Sequence, residues 1–468
     1  MIRIELQAAL NKVIKKMKLP AEARDQAPNA ASDFVLDHPQ DKKFGDFTTN
    51  IAMRLAKVLK KSPMEIGQQI VTLIEKDKSV KKLIQKTEVA PPGFINFYLS
   101  PEVLTEELVG INKLKDKYGQ LKLGAGKKMV VEHTSVNPNK AMHVGHLRNM
   151  AIGDSVAALM AKVGYKVEVE NYIDDTGVQV ADVVVALRHL KRQPKAGQKF
   201  DHYCWDIYAA IQKVYETNPE LAEERTKVQH ALESEDNELS RQAEELVTKI
   251  IHDHLQTAGR LGVFYDAFIF ESSILRSGMW QKTFEQLKKS GKVVLEKEGP
   301  NAGCWVFKNL ALSPDEKLKN PDKILVTSKG VAVYTAKDIA YHLWKFGKGT
   351  GDFKYVKIAK QGNGSPLWAS ANSKRQKGPS QKFGHGQAVI TVVDVRQTYP
   401  QLVVKSALKE LGLTAQAENL KHLGYEVVSL SAETAQALGV SVEEGKGSYA
   451  MSGRKGIGVK ADDLIDAL

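Results

Sequence analysis

The 468-residue sequence has only two cysteines, Cys204 and Cys304, and neither belongs to a Cys-X-X-Cys pattern. This scarcity excludes a disulfide framework and argues against a structural zinc site. No stretch approaches the roughly 20 apolar residues that cross a bilayer. The first residues also lack the apolar core of a signal peptide. We therefore expect a cytoplasmic protein without membrane association and without a bound structural metal.

Acidic residues are fewer than basic residues: the sequence has 55 Asp and Glu residues and 67 Lys and Arg residues. The formal net charge of +12 favours a polyanionic partner such as a nucleic acid. A generally basic, solvated surface explains the same charge equally well. The length predicts roughly three domains of ordinary size.

The most informative stretch has two histidines around a glycine, His143-Val-Gly145-His146. The preceding run, Met129 to Glu132, is typical of a short buried strand, and apolar residues at helical spacing follow as far as Gly164. The histidines are thus predicted at the N-terminal end of a helix, where free N–H groups and the helix dipole favour phosphate. A metal-binding pair and two polar residues on an exposed turn are the alternatives.

A second strand is predicted after this helix. Residues 166–173 alternate between apolar and polar, and the polar turn Asp174-Asp175-Thr176-Gly177 follows them. The order strand, helix, strand is typical of a parallel nucleotide-binding sheet, whose ligands bind at the carboxyl ends of the strands. The sequence contains neither the Gly-X-Gly-X-X-Gly fingerprint nor a Walker A motif, so the phosphate site must be of another kind.

With Ser135, Asn137 and Lys140 ahead of it, the two-histidine stretch is similar to the signature of class I aminoacyl-tRNA synthetases, and especially of arginyl-tRNA synthetases. The resemblance covers nearly the whole chain. It implies an α/β fold: a Rossmann-like parallel-sheet catalytic domain with a helical insertion, preceded by a small α+β domain. It also implies ligation of arginine to tRNA(Arg) through an arginyl-adenylate by a monomer, with ATP and Mg²⁺ as cofactors.

Three domains are predicted along the chain. Residues 1–112 form the α+β, tRNA-contacting domain, and residues 113–445 form the catalytic domain with a helical insertion at about 186–260. Residues 446–468 contain a Met-Ser-Gly-Arg-Lys loop and the end of the chain. Residues 346–387, rich in Gly, Ser, Lys and Gln, are predicted to be a long polar loop or to be partly disordered.

The candidate amino-acid pocket includes Tyr334 and Asp338, four residues apart on a predicted helical turn. A carboxylate beside an aromatic ring suits a guanidinium, because the carboxylate can accept two hydrogen bonds while the ring covers the flat face. An ordinary surface Asp above a packed Tyr is the alternative, as turn formation is for Asn137. The arginine-binding residues that the resemblance implies are Glu132, Ser135, Asn137, Glu271, Tyr334, Asp338 and Gln397.

Two of these assignments depart from the family pattern. Phe270 precedes Glu271 where the family usually has a glycine, and Thr398 follows Gln397 in a phrase that usually continues with a histidine.

The C-terminal Met451-Ser-Gly-Arg-Lys455 loop resembles the Lys-Met-Ser-Lys-Ser loop of class I synthetases, but Ala450 and Gly453 replace its two lysines. Arginyl enzymes with such a loop tend to have a lysine just ahead of the histidine signature, where Lys140 is found. A solvated basic turn is the alternative for Arg454 and Lys455. The residues implied for ATP are His143, Gly145, His146, Met451, Ser452 and Arg454, and those implied for catalysis are Lys140, His143, His146 and Lys455.

Two phrases near the N-terminus resemble the tRNA-contacting domain of the same family. Asp46 and Asn50 are the candidate tRNA contacts in them. Their aromatic residues are predicted to belong to the domain core rather than to the tRNA surface. These aromatic residues are Phe44, Phe47, Phe94 and Phe97.

Other amino-acid specificities, and a protein without catalytic activity, are alternatives to the function that the resemblance implies. Cysteinyl specificity is disfavoured by the lack of ligand cysteines, and large aliphatic substrates are disfavoured by Asp338 and Glu271. A catalytically silent tRNA-binding or regulatory paralogue is the main alternative, because the loop has lost its lysines and the chain stops at Leu468. The family continues beyond this point into a helical anticodon-binding domain. We therefore expect these 468 residues, acting alone, to bind ATP and arginine but to charge tRNA poorly.

The loss of the loop lysines generates a first prediction. We expect Lys140→Ala to slow arginine-dependent pyrophosphate exchange more than Lys455→Ala does, because a cation beside the histidines replaces the missing loop charge. Exchange rates of the two variants, measured side by side, test this. Equal losses, or a larger loss for Lys455→Ala, contradict it.

Overall fold

The computed structural model describes residues 2–17, 34–234, 237–308, 322–371, 382–437, 442, 447–450 and 458–468. The chain divides into two compact units, Met1–Gln120 and Leu121–Leu468. In these described ranges, none of the helices has the length and apolar character that a membrane crossing requires.

The first unit is a small α+β domain with an antiparallel sheet in the order β1-β2-β4-β3. Its strands are β1 (Leu36–Asp37), β2 (Phe47–Thr49), β3 (Ile84–Ala90) and β4 (Phe94–Leu99). Its helices are α1 (Ile2–Lys16), α2 (Ile51–Leu59), α3 (Pro63–Glu75), α4 (Lys78–Lys81) and α5 (Pro101–Leu114). The apolar faces of α1, α2 and α3 pack with the sheet into one core.

The aromatic residues of this unit correct one expectation. Phe47 and Phe97 are buried in the core, but Phe44 and Phe94 are 41% and 37% exposed, so the prediction of a core position is wrong for these two. Phe94 and Phe97 are three residues apart on β4, and residues at an odd spacing on a strand point to opposite faces.

The second unit is built around a seven-stranded sheet in the order β11-β12-β7-β6-β5-β13-β14. All neighbouring strands are parallel except the antiparallel pair β11 and β12. The sheet strands are β5 (Lys128–Glu132), β6 (Lys166–Ile173), β7 (Ala267–Phe270), β11 (Tyr355–Lys360), β12 (Pro366–Ser370), β13 (Ala388–Val392) and β14 (Leu420–Leu423). Two small sheets contain β8 (Val293–Leu295), β9 (Trp305–Phe307) and β10 (Lys323–Val326), and β15 (Ser429–Ser431) and β16 (Ser448–Ala450).

The second unit contains helices between and after these strands. They are α6 (Val144–Lys162), α7 (Val178–His189), α8 (Phe200–Thr217), α9 (Pro219–Glu233), α10 (Glu238–Arg260), α11 (Glu271–Arg276), α12 (Met279–Lys289), α13 (Tyr334–Lys345), α14 (Thr398–Glu410), α15 (Thr414–Glu418), α16 (Ala432–Ala437) and α17 (Ala461–Ala467).

The strand order creates a switch point beside β5. The unit β5-α6-β6 lies on one side of this strand, whereas β13 pairs with its other edge, so that Thr391 is opposite Glu132. In parallel sheets, ligands bind in the crevice outside the carboxyl ends of the strands at such a point. The predicted Rossmann-like α/β architecture is confirmed, and a second parallel unit, β13-α14-β14, continues the sheet beyond β5.

The predicted polar loop at residues 346–387 is wrong where the structure describes this segment. It contains β11 and β12, and β12 pairs in parallel with β7 in the main sheet. Leu367 and Ala369 are fully buried on β12. The lysines of β11 lie on an edge strand, where charged side chains are common. For this reason the polar composition of the segment did not indicate a strand.

The insertion predicted at about 186–260 is helical, but its helices are more than a solvated appendage. Helices α7, α8, α9 and α10 share a core that continues to Phe268 on β7. Tyr208, Ile211 and Ile250 are almost completely buried in it. Acidic residues such as Glu220, Glu223 and Glu245 are exposed on these helices, away from the shared core.

Close packing behind β5 requires a glycine. His133, the first residue after β5, is fully buried, and α6 passes over its ring at Gly153. A Cβ atom at Gly153 would lie 2.2 Å from His133 Cγ, well inside van der Waals contact. The absence of a side chain at this position therefore sets the distance between α6 and the end of β5.

We expect Gly153→Ala to destabilise the second unit by about 1–3 kcal/mol, because the added methyl group displaces a ring in a packed core. The matched control is Gly259→Ala on α10, where an added Cβ meets no atom within 4 Å. That variant should gain up to about 1 kcal/mol from helix propensity. Urea unfolding of both variants measures the difference, and equal stabilities would contradict the packing argument.

Candidate active site

The turn that follows β5 has an unusual backbone. Thr134 and Ser135 have φ angles of 75° and 42°, in the left-handed region that non-glycine residues adopt at a cost of about 1–3 kcal/mol each. Two asparagines hold the turn: Asn149 Oδ1 accepts the Thr134 N–H at 2.6 Å, and Asn171 Oδ1 accepts the Ser135 N–H at 2.8 Å. Both strained backbone N–H groups therefore have a fixed partner.

The two signature histidines form the N-terminal cap of α6. The Gly145 N–H donates to His143 Nδ1 at 3.1 Å, and the His143 N–H donates to His146 Nδ1 at 3.1 Å. The rings stack with centroids 3.6 Å apart. Because each Nδ1 accepts a hydrogen bond, each neutral ring has its proton on Nε2, which is then available as a donor.

Burial keeps both rings neutral. Burial, followed by the charge of Lys140, lowers the pKa of His143 to about 4, and burial together with His143 lowers the pKa of His146 well below its usual value. At neutral pH the histidines thus offer hydrogen bonds without charge. The nearby positive charge belongs to Lys140, whose Nζ lies 5.1 Å from the Tyr208 ring centroid and 3.3 Å from Asn139 Oδ1.

An acidic pocket lies at the carboxyl ends of β5, β6 and β7. Two of its carboxylates are paired with lysines of α13: Glu132 with Lys345, and Glu271 with Lys337. Glu271 also accepts hydroxyl hydrogen bonds from Tyr172 and Thr176 at 2.6 Å each. The other two carboxylates of the pocket are Asp174 and Asp338.

The carboxyl groups of this pocket outnumber its lysines. Burial, then the charge of Glu132, raises the pKa of Asp338 to about 7. Burial, then the charge of Glu271, raises the pKa of Asp174 to about 8. Asp338 is partly exposed, and within the described ranges no hydrogen bond to its carboxylate is found. The Asp338 carboxylate is therefore free to accept a cationic ligand.

The other residues predicted for arginine lie around this pocket in different settings. Ser135 Oγ donates to Glu132 Oε1 at 3.3 Å, which places the two together. Asn137 is partly exposed in the same turn. Gln397 ends the short 3₁₀ turn after β13, on the other side of the switch point. Tyr334 is 49% exposed at the start of α13, and the Lys323 Nζ lies 5.5 Å from its ring centroid.

The remaining predicted residues are two tRNA candidates in the first unit and four loop residues near the C-terminus. Asp46 Oδ2 accepts the Leu99 N–H at 2.8 Å, and Asn50 Oδ1 accepts the Val35 N–H at 3.2 Å, so both side chains bond to their own unit. The loop residues lie outside the described residues, and their roles stay predictions. These loop residues are Met451, Ser452, Arg454 and Lys455.

Several residues of the site were missed in the sequence. Lys345 follows Asp338 by seven positions, the spacing of one helical face, and this signal could have identified it as a pocket residue. Asn149 gave no such signal, because its role depends on Thr134 and on the Val392 carbonyl, which accepts its Nδ2–H at 2.8 Å.

A cluster of possible metal ligands lies near the start of α8. Asp201, His202 and Asp462 each place one ligand atom within 4.8 Å of the others. However, Lys199 and Arg260 already bind the Asp462 carboxylate at 2.7 Å and 2.9 Å. These contacts indicate an ion-pair network that holds α17 in place, rather than a metal site.

Comparisons with known proteins agree with this architecture. Residues 108–353 match the family described as "tRNA synthetases class I (R), catalytic domain", and residues 4–99 match the arginyl tRNA synthetase N-terminal domain. The fold and the histidine-capped helix are thus those of a class I synthetase catalytic domain.

Individual relatives show which class I synthetase family the chain resembles. The chain is 38% identical to the arginine–tRNA ligase of Thermococcus sibiricus over 93% of this chain and 66% of that protein, and 36% identical to that of Pyrococcus furiosus over 96% and 69%. It matches the structure of Thermus thermophilus arginyl-tRNA synthetase with a TM-score of 0.75 and 32% identity, over 100% of this chain and 69% of that one. The chain belongs to the arginyl-tRNA synthetase family, and it spans about two thirds of the length of these relatives.

The unbalanced pocket generates a prediction on stability. Since the pKa of Asp174 rises from 3.8 to about 8 on folding, its stabilising contribution is complete below pH 3.8 and is lost as the pH rises to about 8. We expect Asp174→Asn, which cannot ionise, to gain on the order of 1–2 kcal/mol over the wild type between about pH 5.5 and pH 8.5.

Urea unfolding at both pH values measures this gain. The control is Asp463→Asn on the exposed side of α17, whose difference from the wild type should be the same at both. An Asp174→Asn effect that is independent of pH would show that the carboxylate is not strained by its neighbours.

Proposed function

We propose that this chain activates arginine with ATP to form arginyl-adenylate and transfers the arginyl group to tRNA(Arg). The observation that carries the proposal is the charge of the pocket. Glu132 and Glu271 are paired with Lys345 and Lys337, whereas Asp174 and Asp338 have raised pKa values and form no ion pair with a lysine in the described residues. Arginine has two cationic groups: the guanidinium gives Asp338 a cationic partner, and the α-ammonium can bind the acceptors of the turn after β5.

The guanidinium is assigned to Asp338. The carboxylate can receive two parallel N–H bonds from the fork, a geometry that a lysine ammonium does not reproduce. Glu271 lies in the same pocket and shares its charge with Lys337. Tyr334, one turn before Asp338, would cover the flat face once Lys323 moves from its ring, and Gln397 would close the pocket from β13.

The α-ammonium is assigned to the turn after β5. Glu132, Ser135 and Asn137 offer a carboxylate, a hydroxyl and an amide oxygen, which are suitable acceptors for an ammonium group. Asn149 and Asn171 fix this turn through its backbone. The arginine carboxylate would then be directed towards the start of α6, where the phosphates bind.

ATP is assigned to the capped end of α6. His143 and His146 offer Nε2–H donors, the helix terminus adds its dipole, and Lys140 adds a full positive charge. The close backbone at Gly145 leaves room for a phosphate oxygen. Mg²⁺ would arrive with ATP and would neutralise part of the phosphate charge, beside the donors of Lys140, His143 and His146. The loop residues Met451, Ser452, Arg454 and Lys455 are assigned to the same phosphates on the family resemblance.

The chemistry requires position and charge rather than a covalent enzyme intermediate. A carboxylate oxygen of arginine attacks the α-phosphorus of ATP, the bond to the β-phosphate bridging oxygen breaks, and pyrophosphate leaves. The histidine and lysine donors stabilise the charge that develops on the departing oxygens. The terminal ribose hydroxyl of tRNA then attacks the arginyl carbonyl and AMP leaves.

Binding of tRNA is assigned to the basic chain as a whole and to the first unit. The net charge of +12 favours a polyanion. Asp46 would contact tRNA with the carboxylate oxygen that its internal hydrogen bond leaves unused, and Asn50 with its Nδ2–H donors or the remaining acceptor capacity of Oδ1. The expectation that the 468 residues alone charge tRNA poorly stays a prediction, as does the silent, tRNA-binding alternative.

A variant of Asp338 tests the proposal. We expect Asp338→Asn to weaken arginine binding at least about 100-fold, because the amide loses both the charge and one acceptor for the guanidinium. Its affinity for ATP should remain within about twofold. Asp154→Asn, on the exposed face of α6, is the matched control and should bind both ligands normally.

Pyrophosphate exchange separates the enzyme from the silent alternative. Wild-type exchange that requires both arginine and tRNA supports the proposed function. Exchange supported by another amino acid, or none under any condition, contradicts it. Binding of arginine by calorimetry provides the second readout, and normal arginine binding by Asp338→Asn would remove this residue from the site.

A further inference from the structure

The segment after the C-terminal loop runs back beside the signature histidines. His143 and Lys460 lie opposite each other as an antiparallel β-bridge. Two backbone hydrogen bonds flank this pair, from the Val144 N–H to the Val459 carbonyl at 3.1 Å and from the Ala461 N–H to the Met142 carbonyl at 2.9 Å.

This hydrogen-bond pattern brings two side chains together. Because both bonds are formed by their neighbours, His143 and Lys460 are a non-hydrogen-bonded pair, the type in which facing Cα atoms are only about 4.5 Å apart. Directly opposed residues project to the same face of the pleat. The Lys460 side chain therefore leaves the backbone on the same face as the His143 imidazole.

The Lys460 and Lys140 ammonium groups lie near the same indole ring, that of Trp205. The Nζ atoms of Lys460 and Lys140 lie 5.9 Å and 6.0 Å from the Trp205 ring centroid. The His143 ring meets the same indole edge-on, with centroids 6.4 Å apart. Two ammonium groups from distant parts of the sequence thus converge beside the capped end of α6.

The charge of Lys460 is not neutralised locally. In the described part of the chain no carboxylate forms an ion pair with it, and its side chain is partly exposed. Two ammonium groups on one indole, next to a helix N-terminus, produce a local positive potential that favours a multivalent anion.

The segment is also held firmly in place. Helix α17 begins directly after Lys460 and packs against α6. Burial raises the pKa of Asp462, but hydrogen bonds from His202 and Lys199 more than offset this and lower it overall. Arg260 adds a further contact to the Asp462 carboxylate. The ammonium of Lys460 is thus attached to a backbone that is held in place by hydrogen bonds and by the packing of α17.

We infer that Lys460 is a further phosphate-binding residue of the active site, which contacts the triphosphate oxygens of the nucleotide together with Lys140. This inference rests on the proposed function and adds a residue to the same site. This role of Lys460 also gives a physical reason why the loop can lack its two lysines. Ala450 and Gly453 stand in their places, and the β-bridge with His143 brings Lys460 close to the proposed phosphate site.

Calorimetric titration of the full 468-residue chain with ATP and with inorganic triphosphate tests the inference. We expect Lys460→Met to weaken both ligands about tenfold, because one charge-assisted hydrogen bond is lost, and to leave arginine binding unchanged. Lys460→Arg keeps the charge and should stay within about threefold of the wild type. Lys249→Met removes an ammonium 5.5 Å from another aromatic ring, that of Phe200, and is the matched control.

The outcomes separate this inference from the proposed function. Wild-type triphosphate affinity in Lys460→Met, equal weakening by Met and Arg, or no triphosphate binding by the wild type each overturns the role of Lys460. If the wild type binds triphosphate but lacks arginine-dependent pyrophosphate exchange, the proposed function fails while the titration still decides whether Lys460 binds phosphate. A tenfold loss restored by Arg, with normal arginine binding, supports the inference.

Discussion

The active site depends on one amide side chain, that of Asn149. Its Oδ1 accepts the Thr134 N–H after β5, and its Nδ2 donates to the Val392 carbonyl at the end of β13 and to the Tyr425 hydroxyl at 3.0 Å. It therefore ties together the two strands that border the switch point. The left-handed turn at Thr134 and Ser135 persists because these partners over-determine it. The proposed amino-acid and phosphate sites lie on either side of this turn, only eleven residues apart between Glu132 and His143, so a rigid turn fixes the distance between the reacting groups.

The acidic pocket shows how binding and stability oppose each other. Burying carboxylates that lack partners is unfavourable, and the raised pKa values of Asp174 and Asp338 express that cost. Lys337 and Lys345 offset it only in part, and both come from the helix that supplies Asp338. A third lysine would make the empty fold more stable but would compete with a cationic ligand. The imbalance is therefore consistent with a pocket that is completed by its substrate.

Local patterns predicted much of this structure. Strand β6 occupies the predicted residues 166–173, helix α6 ends at Lys162, just before the predicted stop at Gly164, and the histidines cap this helix as expected. These features depend on periodicity and on neighbours in the sequence. The failures depend on distant partners. Strand β12 is a strand because β7 pairs with it, and Glu132 is neutralised by Lys345, 213 positions away. Composition alone could not show either pairing.

The division of work between histidines and lysines follows from burial. Two stacked imidazoles with centroids 3.6 Å apart would repel each other if both were protonated, so the stacking itself requires neutral rings at neutral pH. Neutral Nε2–H groups bind a ground-state phosphate weakly, yet their hydrogen bonds strengthen as charge develops on the departing pyrophosphate. In the proposed mechanism, the fixed charges of Lys140 and Lys460 also attract the nucleotide before reaction. The uncharged, preorganised histidine donors would serve the transition state, while the lysines beside Trp205 would add affinity as well as stabilise the departing charge, and neither role requires the histidines to change protonation.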